Sequence, residues 1–342
     1  MRVTRQVRSL MVPTDPAGPE VNWERAERDM QRILDLPRPA DPRHRPRTRV
    51  RRRVLLLSPL LAGAVLAAVA VVDSAGTDAR PAPVLAVETG STADAVRLLD
   101  RISYAAASKP ALAVRDDQYV YIESKVAFIG ASGGEDGSGT PMTWSMDPLH
   151  TRRVWLSVDG KQSGLLEEDR HQSLWEEIFD DGEMTLDPNR APALNAPTYR
   201  YLESLPTEPD ALLRKIYAET RGMGNSPDQQ AFTTIGDLLR ESLMPSDLGA
   251  ALYRAAAKIP GVVLVPEAVD AAGRHGVAVG RLDPYSGNRT EWIFDERTLD
   301  FLGERRVQVK HIPDGPKPGT LMGSTAVMTR AIVDHPGEKP TS

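Results

Sequence analysis

The apolar positions of the chain form one continuous run and, further on, a series of periodic stripes. The run is Val54–Val72, nineteen residues without a charged side chain. A helix of this length extends about 28 Å, close to the hydrocarbon thickness of a bilayer. The pattern therefore predicts a single transmembrane helix over residues 54–72.

The charged residues are divided unequally between the two sides of this run. Residues 1–53 contain 14 Arg and 7 Asp or Glu, a net charge of +7, whereas residues 54–342 contain 28 Lys or Arg and 40 Asp or Glu, a net charge of −12. Basic residues beside a span are retained on the cytoplasmic side. We therefore expect a protein of the plasma membrane with residues 1–53 inside and the C-terminal domain outside. The topology-determining positions are Arg47, Arg49, Arg51, Arg52 and Arg53.

A cleaved export signal is the alternative interpretation of the run. Signal peptides have short charged segments and apolar cores of about 7–15 residues. Here the preceding segment has 53 residues and the run has 19, which favours an uncleaved anchor. Arg52-Arg53 before the run resembles a weak twin-arginine signal, so the alternative stays open.

A short amphipathic helix is predicted in the cytoplasmic tail, over residues 20–36. Its apolar stripe includes Trp23, Met30, Ile33 and Leu34 at helical spacing, with charged residues on the other face. A helix this short cannot bury its stripe alone. We interpret the four residues as a candidate surface for a cytosolic partner, with the membrane surface as the alternative.

Beyond a linker over residues 73–92, the pattern predicts an extracytoplasmic α+β domain over residues 93–335 and a disordered tail over 336–342. Ser91 and Asp94 have capping-box spacing before a helical stripe that ends near Ser108. A strand is predicted over Gln118–Phe128, a flexible loop over Gly130–Thr140 and a hairpin with an Asp159-Gly160 turn.

Three helices and five strands are predicted in the second half of the domain. The helices are Asp210–Thr220, Pro227–Ser242 and Ser246–Ile259, with Asp210, Ser226 and Ser246 as caps. The strands are Val262–Val269, His275–Asp283, Arg289–Phe294, Leu299–Val309 and Thr320–Val333. Because the strands follow one another as hairpins, we expect a curved antiparallel sheet packed over helices.

Motifs that carry chemistry are weak in this chain. Gly130–Gly134 matches G-x-S-x-G around Ser132, but a nucleophile elbow needs a helix after the serine, and the glycine-rich segment here favours a loop. There is no cysteine, and no phosphate-binding loop occurs. The acidic balance outside the tail disfavours nucleic acid. We expect a protein without enzymatic activity, cofactor or metal.

Histidine and carboxylate positions do not suggest a metal site either. The six His are scattered without ligand spacing, which predicts ordinary surface histidines. The acidic stretch from Glu167 to Glu183 lacks the spacing of a calcium loop, which favours a solvated helix face and loop.

Four segments carry a resemblance to a known family: Ala93–Ala107, residues 205–213, residues 259–262 and Ala331–Asp334. With the single span and the basic flank, they resemble a family of actinobacterial single-pass membrane proteins of unknown function, often found near extracytoplasmic-function sigma factors, with an exported domain similar to LolA and RseB. The resemblance implies a curved sheet with an apolar concave face that binds acyl chains or a protein partner.

Three functions follow as hypotheses. The first is a non-enzymatic anchored protein whose exported domain binds a hydrophobic ligand or protein, while its tail regulates a cytosolic partner such as a sigma factor. The second is a tethered lipid- or lipoprotein-binding module without signalling. The third and remote one is a secreted hydrolase that uses Ser132.

Overall fold

Antiparallel strands dominate the described part of the chain. The computed structural model describes residues 80–83, 85, 90–132, 143–169, 183–186, 188, 191–313 and 315–340. The strands in these ranges are β1 (Arg80–Pro81), β2 (Tyr119–Ser132), β3 (Thr143–Met146), β4 (His150–Ser157), β5 (Gly164–Glu168), β6 (Glu183–Leu186), β7 (Val262–Val269), β8 (His275–Leu282), β9 (Asn288–Phe294), β10 (Phe301–Gln308) and β11 (Leu321–Val333). The helices are α1 (Thr92–Ala107), α2 (Tyr199–Glu203), α3 (Pro209–Glu219), α4 (Pro227–Glu241) and α5 (Ser246–Ala256).

Nine of these strands follow the order β6-β5-β4-β2-β11-β10-β9-β8-β7, and β3 pairs with β2 off this path and with β1. Every neighbouring pair is antiparallel, so the predicted α+β class with an antiparallel sheet is confirmed. The central pairing joins distant parts of the sequence, because β2 lies beside β11 with Tyr119 opposite Val333 and Phe128 opposite Gly323. This pairing joins the first long strand of the domain to its last strand.

Helix α1 has the boundaries that its sequence pattern predicts. The Ser91 hydroxyl accepts a hydrogen bond from the Asp94 amide at 3.3 Å, which satisfies one of the free amides at the helix start. The buried stripe is Ala95, Leu98, Leu99, Ile102 and Ser103. It packs against α5, where the Ser103 hydroxyl donates to the Ala250 carbonyl at 2.9 Å.

The caps of the three later helices agree with the prediction only in part. Ser226 caps α4 by accepting from the Gln229 amide at 3.2 Å, as expected. Glu208, rather than Asp210, caps α3. Helix α5 starts after Pro245 without a side-chain cap, and Ser246 is its first helical residue. A proline that fixes its own φ starts this helix without a side-chain hydrogen bond.

Both faces of the sheet carry apolar side chains. Val120 and Ile122 of β2 belong to the core cluster that includes the helices. Their neighbours Tyr119 and Tyr121 point to the other face, where they form a second cluster with Trp155 and Val333. The Trp155 indole N–H donates to the Glu338 carbonyl at 2.6 Å. The tail predicted to be disordered from residue 336 therefore covers part of this outer face.

Two predicted segments have different structures in the molecule. Strand β2 continues to Ser132, where Gly130–Ser132 pair with β3, so the loop predicted from Gly130 begins later. Strand β1 lies inside the predicted linker and pairs with β3. After β1, the Leu321 amide donates to the Pro83 carbonyl at 2.8 Å and the Leu85 amide donates to the Gly319 carbonyl at 2.6 Å. Backbone pairing thus incorporates part of this linker into the domain.

Within the described residues, no helix is long and apolar enough to cross a membrane. The predicted span over residues 54–72 and the tail over 1–53 lie outside them.

Candidate ligand-binding groove

An open groove of about 450 Å³ lies between α1, the last two strands of the sheet (β8 and its edge strand β7), and the turn that joins β9 to β10. Its apolar lining consists of Leu98, Leu264, Pro266, Val277 and Leu299. Four charged residues complete its lining: Asp94, Arg97, Arg101 and Glu296. Ligand pockets of proteins commonly have volumes of about 300–1,000 Å³ and mostly apolar linings with a few polar groups, so this groove has a suitable size and composition.

The start of α1 is fastened to the sheet edge beside the groove. The Ser91 carbonyl, whose residue also caps the helix, accepts from the Leu264 amide of β7 at 2.9 Å. Gly90 lies against the same strand, where the β-carbon of any other residue would overlap the Leu264 carbonyl oxygen. Only glycine allows this close approach of two backbones.

The far end of α1 is fastened to the opposite wall. The Lys109 ammonium, two residues beyond the helix, lies 2.5 Å from the Asp300 carboxylate in the β9–β10 turn. Although burial opposes the shift, the hydrogen bond from Lys109 lowers the pKa of Asp300 below its ordinary value. The ion pair is half exposed, so it orients the two walls more than it stabilises the fold.

The turn that forms this wall is held by its own hydrogen bonds. The Asp295 carboxylate accepts from the Arg297 amide at 2.9 Å and the Thr298 amide at 2.8 Å. These backbone donors, that of Thr298 first, lower the pKa of Asp295. Leu299 follows with φ 62°, a left-handed conformation that non-glycine residues rarely adopt. The turn therefore holds the backbone at Glu296 and Leu299.

The sheet edge at the groove offers little backbone for pairing with another strand. The Leu264 amide is already bonded to Ser91, and Pro266 has no amide hydrogen. A bulge between Val265 and Ala268 interrupts the ladder in the same place. Such features protect edge strands from strand addition. This edge therefore offers few free backbone donors to the groove.

The charged residues at the rim are only partly paired. Arg97 and Asp94, three residues apart on α1, form an ion pair. Arg101, one turn further along, and Glu296 on the opposite wall have no ion pair within the described residues. Among the described residues, the rim thus has one unpaired cation on α1 and one unpaired anion on the β9–β10 turn.

A separate charged cluster is buried between α4 and the sheet. Arg240 contacts Asp237 at 2.8 Å, Glu241 at 3.3 Å and Glu304 at 3.3 Å, and Arg152 contacts Glu241 at 3.2 Å. Three carboxylates thus share two guanidinium groups. Burial raises the pKa of Asp237 to about 7, with Arg240 opposing the rise and the other two carboxylates adding to it. The resemblance implies an apolar concave face, whereas the helix-covered face of this sheet includes these charges.

The guanidinium group of Arg330, on β11, lies at the C-terminal end of α4. Its guanidinium donates to the Leu239 carbonyl, one of the carbonyls left free at the helix C-terminus. It also lies 5.7 Å from the centre of the Phe301 ring. A cation is favoured at this helix end. We therefore interpret Arg330 as a residue that stabilises the end of α4.

The predicted site residues are not brought together by the described structure. The topology-determining residues and the candidate helix surface lie outside the described residues: Trp23, Met30, Ile33, Leu34, Arg47, Arg49, Arg51, Arg52 and Arg53. The backbone of Ser132 lies at the end of β2, opposite Thr143 of β3. This antiparallel pairing differs from the parallel strand that precedes a nucleophile elbow.

The histidine prediction requires a correction at one position. His150 is only 6% exposed in its side chain, and its Nε2 lies 3.0 Å from the Glu168 carboxylate, so it is not a surface residue. His275 is exposed and lies 3.4 Å from Glu267. Among the described residues, no group of three or more His, Asp or Glu has an arrangement that could hold a metal ion.

Sequence reasoning missed the residues of the groove. Arg101 lies on the charged face of an amphipathic helix and Glu296 lies in a turn, and both are typical solvated positions. They are far apart in the sequence and share no motif. The unusual φ of Leu299 has no sequence signal, because leucine gives no indication of a left-handed conformation.

Comparisons with known proteins identify no family for this chain. No protein-family model matches the chain, and no curated protein matches it. Three chains of solved structures match, among them the crystal structure of MucB. That match has 17% identity and a TM-score of 0.27, and it covers 73% of this chain and 61% of the MucB chain. At these values the likeness carries no inference about function, and the chain spans less than two thirds of MucB.

Proposed function

We propose that the chain is a non-enzymatic, membrane-anchored protein whose extracytoplasmic domain binds a hydrophobic ligand in the groove beside α1. The observation that carries this proposal is the open apolar lining of Leu98, Leu264, Val277 and Leu299 between two fastened walls. A preformed apolar surface favours binding because little conformational entropy is lost when the ligand enters. The finer likeness to LolA and RseB belongs to the same proposal and rests on the sequence resemblance.

Photolabelling tests the ligand site. The full chain, reconstituted in nanodiscs, is irradiated with a twelve-carbon alcohol that carries a diazirine in its chain, and labelled peptides are mapped by mass spectrometry. We expect labels in α1, β7 and the β9–β10 turn. Leu264→Trp, which fills the groove, should reduce them at least fivefold, whereas Leu149→Trp on an exposed loop should leave them unchanged. If Leu264→Trp leaves the amount of label in these segments unchanged, the proposal is contradicted.

The regulatory part of the proposal concerns the cytoplasmic tail. Its support is the sequence pattern, in which an amphipathic helix over residues 20–36 follows an N-terminus predicted to lie inside the cell. The proposed partner is a sigma factor. Reconstituted full chain is incubated with a purified sigma factor from the source organism, and co-purification is measured. We expect Ile33→Glu to abolish binding and Glu27→Gln, on the polar face, to preserve it.

The tethered module without signalling is the alternative that these two experiments separate. It predicts photolabelling in the groove together with the same sigma-factor signal for wild type and Ile33→Glu. Groove labelling together with partner loss on Ile33→Glu supports the regulatory protein.

A further inference from the structure

We propose that the groove selects amphiphiles whose headgroup carries both a cation and an anion, with the anion at Arg101 and the cation at Glu296. This inference rests on the proposed function, because it assigns a ligand class to the same groove. It starts from the unpaired charges on the two walls and from the apolar floor between them.

Two of the four charged residues that line the groove have an ion-pair partner, and two have none among the described residues. Asp94 and Arg97 neutralise each other within α1. The remaining Arg101 and Glu296 form no ion pair with each other or with other described residues, although they line the same groove. A headgroup with separated charges can contact both. A purely anionic headgroup meets repulsion from Glu296, and a purely cationic one meets repulsion from Arg101.

The backbone that carries Glu296 is held before any ligand binds. Two hydrogen bonds join the Asp295 carboxylate to the amides of Arg297 and Thr298, and the Lys109–Asp300 pair ties the turn to the end of α1. The spacing of the two walls is therefore part of the folded structure. Walls that are already in place lose little conformational entropy when a headgroup binds between them.

A peptide strand is a poorer occupant of the groove. Strand addition depends on main-chain hydrogen bonds along an exposed sheet edge. Here Ser91 occupies the Leu264 amide and Pro266 lacks an amide hydrogen. The apolar floor and the two side-chain charges instead match a single-chain amphiphile with a zwitterionic head.

Four eight-carbon amphiphiles with different headgroups test this selectivity. They are octylphosphocholine, octyl sulfate, octyltrimethylammonium and octyl glucoside, each used below its micelle concentration with the full chain in anionic-lipid nanodiscs. Because the chain contains no cysteine, Pro266→Cys gives a single labelling site for an environment-sensitive dye at the groove. The same dye on Tyr285→Cys, 83% exposed in another turn, is the control position.

We expect octylphosphocholine to bind about two- to fivefold more tightly than each of the other three, the size of effect that exposed charge pairs give. Arg101→Gln should abolish its advantage over octyltrimethylammonium, and Glu296→Gln should abolish its advantage over octyl sulfate. Asp100→Asn, on the exposed face of α1, should preserve the order.

Two other results overturn the inference in distinguishable ways. If the four amphiphiles bind alike, or if neither substitution alters their order, the groove binds apolar chains without selecting headgroups and the proposed function survives. If no amphiphile changes the dye at Pro266→Cys and Leu264→Trp has no effect on photolabelling, the groove is not a ligand site and both proposals fail.

Discussion

Phe232 of α4 and Trp292 of β9 stack with their ring centres 3.9 Å apart and their planes 4° from parallel. Both side chains are fully buried. The contact fixes the distance between α4 and the sheet, and the buried charged cluster lies just beyond it on the same helix. Aromatic pairs contribute about 0.5–1.5 kcal/mol beyond the burial of their area, so this contact is a main support of α4.

Replacement of Phe232 by Ala should destabilise the domain by about 3–5 kcal/mol, because it leaves a cavity beside Trp292. The melting temperature, followed by intrinsic fluorescence of the reconstituted chain, should fall by about 2–4 °C for each kcal/mol. Tyr285→Ala, at an exposed position, is the control and should change it little. Equal melting temperatures for the two variants would show that the stacked pair is not a support.

Two helical glycines should respond to alanine with opposite signs. An alanine β-carbon at Gly236 would lie 2.5 Å from the Trp292 indole nitrogen and 2.9 Å from a Glu304 oxygen, so Gly236→Ala should destabilise the domain. At Gly249 of α5 the nearest atom is the Met244 sulfur at 3.8 Å. Gly249→Ala should therefore stabilise by up to about 1 kcal/mol, the difference in helix propensity. Urea unfolding measures both, and the same sign for the two would contradict the packing.

The stability of the domain should decrease as the pH rises from about 4 to about 7. Burial raises the pKa of Asp237 to about 7 in the folded state, above its ordinary value of 3.8. The folded state therefore binds this proton more tightly than the unfolded state does, and the stabilisation is lost as the carboxyl ionises.

Asp237→Asn removes this titration. We expect the wild type to lose up to about 1.4 kcal/mol of unfolding free energy per pH unit more than the variant between pH 4 and 7. Urea unfolding at pH 5 and pH 7 measures the difference. The exposed Asp100→Asn should follow the wild type. If the free energy of unfolding changes equally with pH in the wild type and in Asp237→Asn, Asp237 is not the group that titrates.

Replacing the serine at the start of α4 should lower the stability of the domain, whereas replacing the serine at the start of α5 should not. Ser226 caps α4 through the Gln229 amide, so Ser226→Ala should cost about 1 kcal/mol. Ser246 is the first helical residue of α5 and this helix has no side-chain cap, so Ser246→Ala should have almost no effect. Thermal melts of both variants check the difference, and a loss of equal size at Ser246 would mean that its hydroxyl caps the helix.

The strands from β7 to β11 could be located from sequence within two residues. They are rich in β-branched and aromatic residues, and glycine or aspartate marks their turns. Strands β1 and β3 could not be located, because two and four residues are too short to show a period. Their pairing depends on the register of β2, which its own sequence does not specify beyond Phe128.

The groove and the buried charges could not be predicted for a different reason. Asp237 and Arg240 occupy helical positions that a sequence pattern assigns to solvent, and their burial results from the placement of α4 on the sheet. Arg101 and Glu296 line the same groove because α1 is fastened to the sheet edge at its start and to the β9–β10 turn beyond its end. Tertiary contacts of this kind leave no local signal in the sequence.

The pairing of β2 with β11 also determines when folding can finish. A chain made from its N-terminus offers β2 about 190 residues before β11 is available. At roughly 5–20 residues per second, synthesis of the intervening chain takes on the order of 10–40 s. During that time one edge of the future central strand has no partner, although β4 can already pair with the other. Completion of the sheet therefore waits for the last strand, and truncation before residue 321 should leave an aggregation-prone edge instead of a smaller native domain.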